Sequence, residues 1–281
     1  MYLKDIAYNR GIGGAMNLFK KKSKENITQK VVAVGALIAM VVINALSATL
    51  PINGKTPGEI SDSYANLFAP AGVTFSIWSI IYLLLTGYVI YQFLSVREKH
   101  TTIKEETLAA ITPLFIGTSL INIAWIFSWH YEVLWLSVIL MSALLYLLIK
   151  INRVLYDKSF SRSDAFLIKA PFSIYFGWIT VATVANITTW LVSINWDGFG
   201  LRPGVWMVAI LIVATIIALA TIIRMRDWVY GMVIVWAFAG ILLKHLSPGG
   251  WNGLYPSVLA TLYIILPVII VTSLSVALQK K

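Results

Sequence analysis

Three short runs of aromatic and amide residues hold most of the usable chemistry in this sequence. Trp78 and Tyr82 stand four residues apart, Asn122, Trp125 and Trp129 follow an i, i+3, i+7 spacing, and Trp178, Ala182 and Asn186 repeat every four residues, with Thr183 alongside and Trp190 one turn further on. On a helix each set shares one face. Aromatic rings present flat apolar surfaces with a polar edge, and an amide both donates and accepts, so these faces could line a ligand cavity but offer little to acid–base catalysis. A plainer reading competes. Tryptophans anchor helices at membrane interfaces, which suits Trp135, Trp196, Trp228 and Trp251, and an inward Asn can bridge helices for about 0.6 kcal/mol. Trp78 and Trp178 sit too deep in their apolar stretches for anchoring.

Other reactive groups are scarce. The chain has no cysteine, three dispersed histidines, and no phosphate loop, HExxH pair or GxSxG nucleophile. His130, Glu132, Lys244 and His245 fall at the ends of apolar stretches, where a lone Lys or His reads as a snorkelling anchor. No Asp, Glu, Lys, Arg or His falls at mid-stretch depth, which argues against ion-coupled transport.

The elements that must carry these faces follow from composition. Of 281 residues, 59% are hydrophobic and 12% charged, against about a quarter charged in a soluble chain. The shortfall places the surface in lipid. Charge-poor stretches long enough to cross about 30 Å of hydrocarbon occur eight times: Val31–Pro51, Val73–Leu94, Leu108–Trp129, Val133–Lys150, Leu167–Val192, Val205–Ile223, Trp228–Leu243 and Tyr255–Leu278. The fourth and seventh are shortest and read as tilted or broken. Pro113 and Pro267 predict kinks in the third and eighth.

Eight crossings put both termini on one side. Of the 22 Lys and Arg, only Lys55, Arg202 and Lys244 then fall on the other, so the positive-inside rule makes both termini cytoplasmic in a cell-membrane protein. The net charge of +10 is thereby a topology signal, and a nucleic-acid partner loses its support because the basic residues are dispersed. A basic tail precedes the first span, with Ile12–Phe19 and Lys20–Lys24 suited to lie on anionic lipid.

The motif-bearing residues resemble the tryptophan-rich sensory protein family, also called the translocator protein or TspO/MBR family. The run Phe68 to Tyr82 keeps Pro70 eight residues before Trp78, with Tyr82 in register; Ile121-Asn122-Ile123-Ala124-Trp125 is similar to the family's L-N-x-x-W; and Trp178, Ala182, Thr183, Asn186 and Trp190 keep its fifth-helix spacing. Tyr64 and Leu67 look like its aromatic and Leu in the first long loop. The family's paired Pro is reduced to Pro70, Gly72 and Phe75 are each displaced by one position, and no cholesterol-recognition pattern ends the fifth span.

The resemblance covers roughly residues 31–196. It implies a five-helix bundle there, so that the all-α membrane protein read from composition divides into a basic segment 1–30, a TspO/MBR-like five-helix module 31–196, and a three-helix extension 197–281 outside the resemblance. It also implies an apolar cavity opening toward the first long loop and binding porphyrins, tetrapyrroles or sterol-like ligands. Trp78, Asn122, Trp125, Trp178, Ala182 and Asn186 are its expected lining, joined by Tyr82 from the shared aromatic face, with Tyr64 and Pro70 as lid and mouth. No cofactor is required, although a bound porphyrin or lipid fits; the bilayer and a hydrophobic small molecule are the expected partners, and a homodimer stays open. Receptor or carrier is the first reading. The alternative is a structural or permease-type subunit whose extra helices dock a complex, with Gly231, Ala237, Ala239 and Gly240 supplying close packing. Tryptophan-dependent porphyrin breakdown, described for some family members, is a third.

Overall fold

In lipid each backbone N–H and C=O must be satisfied within the chain, so long apolar stretches fold as helices. The computed structural model describes residues 27–50, 52–94, 102–156 and 158–279. The basic tail expected to lie on lipid falls outside them.

Among the described residues, eight helices are long and apolar enough to span a membrane. The first is α1, Ile27–Thr49. A short loop helix, α2 (Pro57–Ser63), follows, and then α3 (Ile77–Leu94), entered through a 3-10 turn at Gly72–Ser76. Next come α4 (Thr102–His130), α5 (Leu134–Tyr156) and α6 (Ala170–Ser193). The last three are α7 (Pro203–Met225), α8 (Trp228–Leu246) and α9 (Pro256–Leu278). The stretches expected to be short are continuous: α5 has 23 residues and α8 has 19. At 1.5 Å per residue even α8 reaches about 28 Å, close to the hydrocarbon thickness.

Local chemistry sets the ends. Thr56 caps α2 and Glu59 returns the bond to the Thr56 amide, a reciprocal capping box with Pro57 at the first helical position. Asp227 caps α8 by accepting from the Tyr230 amide, and Pro203 and Pro256 open α7 and α9.

Helix α6 is the hub, packed against α3, α5 and α8, while α9 closes the extension against α7 and α8. Small residues permit the closest approaches. A Cβ at Gly177 of α6 would lie 2.8 Å from Val233 Cβ of α8, and one at Gly231 would overlap Ser273 of α9. These contacts replace a hydrophobic driving force that lipid cannot supply between helices. Ala237 is buried as expected, but Ala239 faces outward. Large apolar side chains stand on the outer surface, with Leu83, Ile216, Ile264 and Val271 all exposed, as lipid-facing side chains must be.

Candidate functional site

At the end of the bundle carrying the α1–α3 loop, α1, α2, α3, α4 and α6 enclose a cavity of about 560 Å³. That volume lies inside the range of roughly 300–1,000 Å³ usual for small-molecule sites. Helix α3 contributes Trp78, Ser79 and Tyr82, α4 contributes Trp125, Ile126 and Trp129, and α6 contributes Trp178, Val181, Ala182, Ala185, Asn186 and Thr189. The alanines matter by being small, since larger side chains on that face of α6 would fill the space.

One wall is a run of stacked rings. Tyr82 and Trp78 stack at 5.5 Å between centroids, Trp78 and Trp125 at 6.1 Å, and Trp125 and Trp129 at 6.0 Å. Trp178 meets this run edge-on, 6.2 Å from Trp78, and Phe75 meets Trp178 edge-on at 5.8 Å. Among the described residues the lining holds no Asp, Glu, Lys, Arg or His. Two buried donors there, Trp178 Nε1 and the Tyr82 hydroxyl, have no partner among the described residues. An acceptor supplied by a bound molecule or a water would satisfy each.

Asn186 organises the other polar contacts. Its Oδ1 accepts from Trp125 Nε1 at 3.0 Å and from the Ser137 hydroxyl, while its Nδ2 donates to the Ala182 carbonyl at 2.8 Å. Trp125 is thereby fixed in orientation. Asn122 sits behind the wall: it accepts from Asn44 Nδ2 of α1 at 2.7 Å and donates to the Tyr175 hydroxyl at 3.3 Å.

Of the expected residues, Pro70, Trp78, Tyr82, Trp125, Trp178, Ala182 and Asn186 border the cavity, whereas Asn122 and Tyr64 do not. The amide of Asn122 is spent joining α1 to α6. Tyr64 faces the α4–α5 turn instead of the cavity, donating to Glu132 Oε2 at 2.6 Å, and Lys55 pairs with Glu132 Oε1 at 2.9 Å. This clasp ties down the loop from which α2 supplies Thr56, Pro57, Gly58 and Ser61 as roof. The Tyr64 bond, then the Lys55 bond, hold the Glu132 carboxyl below its usual range, and the same carboxylate pushes the Tyr64 phenol up to about 12.

Helix α8 holds the rest of that loop. Lys244 Nζ pairs with Asp62 Oδ1 at 2.9 Å, His245 Nε2 lies 3.0 Å from the Leu67 carbonyl, Gly240 accepts from the Ala71 amide at 3.0 Å, and Trp236 Nε1 donates to the Thr74 carbonyl at 3.0 Å. A carbonyl only accepts, so His245 carries its proton on Nε2. Lys244 and His245 are therefore loop ligands and not snorkelling anchors. His130 is buried too, its Nδ1 2.8 Å from the Ile126 carbonyl. Among the expected anchors, Trp135 and Trp228 are exposed, but Trp196 and Trp251 wall a second, smaller cavity.

Sequence spacing missed Asn44, Phe75, the roof residues of α2 and the rail on α8. For α8 a signal existed: Trp236, Gly240 and Lys244 recur at four-residue intervals.

An uncharged aromatic cavity, roofed by the first long loop and set among eight spans, defines a multi-pass α-helical membrane protein of the TspO type. The chain belongs to the TSPO-like protein family, whose sequence profile matches residues 30–275. That match continues through α7, α8 and α9, beyond the residues that carry the motifs. No curated protein and no solved structure matches the chain.

Proposed function

We propose that the protein is a membrane receptor or carrier for a flat hydrophobic ligand, of porphyrin or other tetrapyrrole type or sterol-like, held in the aromatic cavity. The observation that carries this reading is the stacked run Tyr82–Trp78–Trp125–Trp129 bordering an uncharged cavity, with two buried donors, the Tyr82 hydroxyl on the run itself and Nε1 of Trp178 edge-on to it, unpaired among the described residues. A planar ring gains dispersion contacts along the stack, and an acceptor on it satisfies Trp178 Nε1 or the Tyr82 hydroxyl. Charged substituents, such as porphyrin carboxylates, stay at the loop end, where water can reach them. The walls offer no carboxylate, imidazole or amine for proton transfer, so holding the ligand is the role this geometry supports. The basic residues orient the loop end outward, with both termini cytoplasmic.

The test is a titration of purified protein with protoporphyrin, read by quenching of Trp fluorescence. Trp78→Phe combined with Trp178→Phe is expected to weaken binding about tenfold or more, since it removes stacking area and one donor. Equal affinity in the double variant, judged against an unrelated multi-span protein, would overturn the assignment.

A further inference from the structure

The second cavity, of about 280 Å³, lies across the α1–α3 loop from the first, where the end of α6, the start of α7 and the α8–α9 connection meet. Its volume equals that of roughly nine waters at ~30 Å³ each, enough for a one- or two-ring molecule and too small for a tetrapyrrole. Trp206, Trp251, Tyr255 and Phe68 supply aromatic surface, with Met207 and Ile210 between them. Two of its three tryptophans, Trp206 and Trp251, differ in how their donors are used. Trp206 Nε1 donates to the Gly198 carbonyl at 2.6 Å, whereas Trp251 Nε1 is buried with no acceptor among the described residues. Burying an indole N–H unpaired is costly, and a ligand acceptor would recover that cost.

The two cavities share one strip of backbone. Ala65 to Phe68 wall the smaller, and Ala69 and Pro70 wall the larger. Asn66 links the far sides: it accepts from the Thr188 hydroxyl at 3.2 Å and donates to Thr189 Oγ1 at 3.3 Å, where Thr188 borders the smaller cavity and Thr189 the larger.

We infer that the smaller cavity is a second binding site, for a compact aromatic or apolar molecule with one hydrogen-bond acceptor that reaches Trp251 Nε1, and that its occupancy alters the larger cavity through residues 65–70. The same chemistry is offered by a free bicyclic carbonyl compound and by a lipid chain ending in its ester carbonyl. Coupling between the sites is reciprocal, because each ligand biases the same strip. The coupling rests on the function proposed above; the second site does not.

The probe is a fluorinated coumarin, followed by 19F NMR in detergent micelles with and without phosphatidylcholine, so that binding is read without any porphyrin. The expected result is saturable binding, weakened about tenfold by Trp251→Phe, abolished by the cavity-filling Ile210→Trp, and retained in Trp78→Phe/Trp178→Phe. Competition by phosphatidylcholine assigns the natural occupant to lipid, and lack of competition assigns it to a free molecule. Absence of saturable binding overturns the second site, as does binding that ignores Ile210→Trp and disappears in the Trp78/Trp178 variant. A protoporphyrin affinity unmoved by saturating coumarin overturns the coupling alone.

Discussion

The Ala71 amide donates to the Gly240 carbonyl at 3.0 Å, joining the mouth of the large cavity to a helix 169 residues further along the chain. The contact is close because position 240 has no side chain: a Cβ there would lie 2.8 Å from Thr74 Cβ and overlap the rest of that side chain. Thr74 belongs to the 3-10 turn that carries Gly72 and Phe75, both bordering the cavity. The extension is thereby part of the site's scaffold.

Gly240→Ala should therefore act on the site from outside it. Overpacking of this kind costs about 1–3 kcal/mol, and here it pushes the mouth segment off α8. The expected outcome is a lower thermal midpoint together with weaker protoporphyrin quenching, while Gly35→Ala, where an added Cβ meets open space, changes neither.

Asn186→Ala removes the acceptor shared by Trp125 Nε1 and the Ser137 hydroxyl. Leaving two donors unpaired between helices should cost about 1–2 kcal/mol and release the Trp125 ring. Thermal unfolding measures the first effect. A red-shifted, broadened Trp emission measures the second.

Asn122→Ala should behave differently from Trp78→Phe, although the two residues share the family motifs. Asn122 bridges Asn44 and Tyr175 behind the wall, so its loss should lower stability by about 0.6–1.7 kcal/mol and shift ligand affinity less than Trp78→Phe does. Parallel protoporphyrin titrations of the two single variants decide the order.

The Lys55–Glu132–Tyr64 clasp predicts a pH window for the loop. Glu132 has a lowered pKa in the folded protein, so its contribution is present above the ordinary carboxylate value of 4.5 and is lost as pH falls through the lowered value. Tyr64 is raised from 10.0 to about 12, so its contribution is complete below pH 10 and is lost as pH rises through about 12. Hydrogen exchange over residues 52–66, corrected for intrinsic rates, should be flat between these limits and accelerate outside them. Glu132→Gln should show the faster exchange already at neutral pH.

Helix existence was legible because spanning lipid is a local property: twenty apolar residues must satisfy their own backbone wherever they sit. The shared faces of Trp78 with Tyr82, and of Trp178 with Asn186, were legible for a similar reason, since helical periodicity depends only on spacing. The same reasoning treated Trp251 like Trp135, although one walls a cavity and the other faces outward. Both lie near the ends of apolar stretches, which is all the anchoring rule uses. The difference lies in which helix packs beside them.

By itself, the sequence determined eight spans, an asymmetric charge distribution and three aromatic faces, all consequences of composition and period. Only the tertiary structure decided that Asn122 would be spent on Asn44 and Tyr175, that Tyr64 would reach Glu132 and not the cavity, and that Gly240 and His245 would hold the loop at Ala71 and Leu67. Each of these depends on partners dozens to more than a hundred residues apart. No spacing rule encodes such a pairing, because it is set by how whole helices pack.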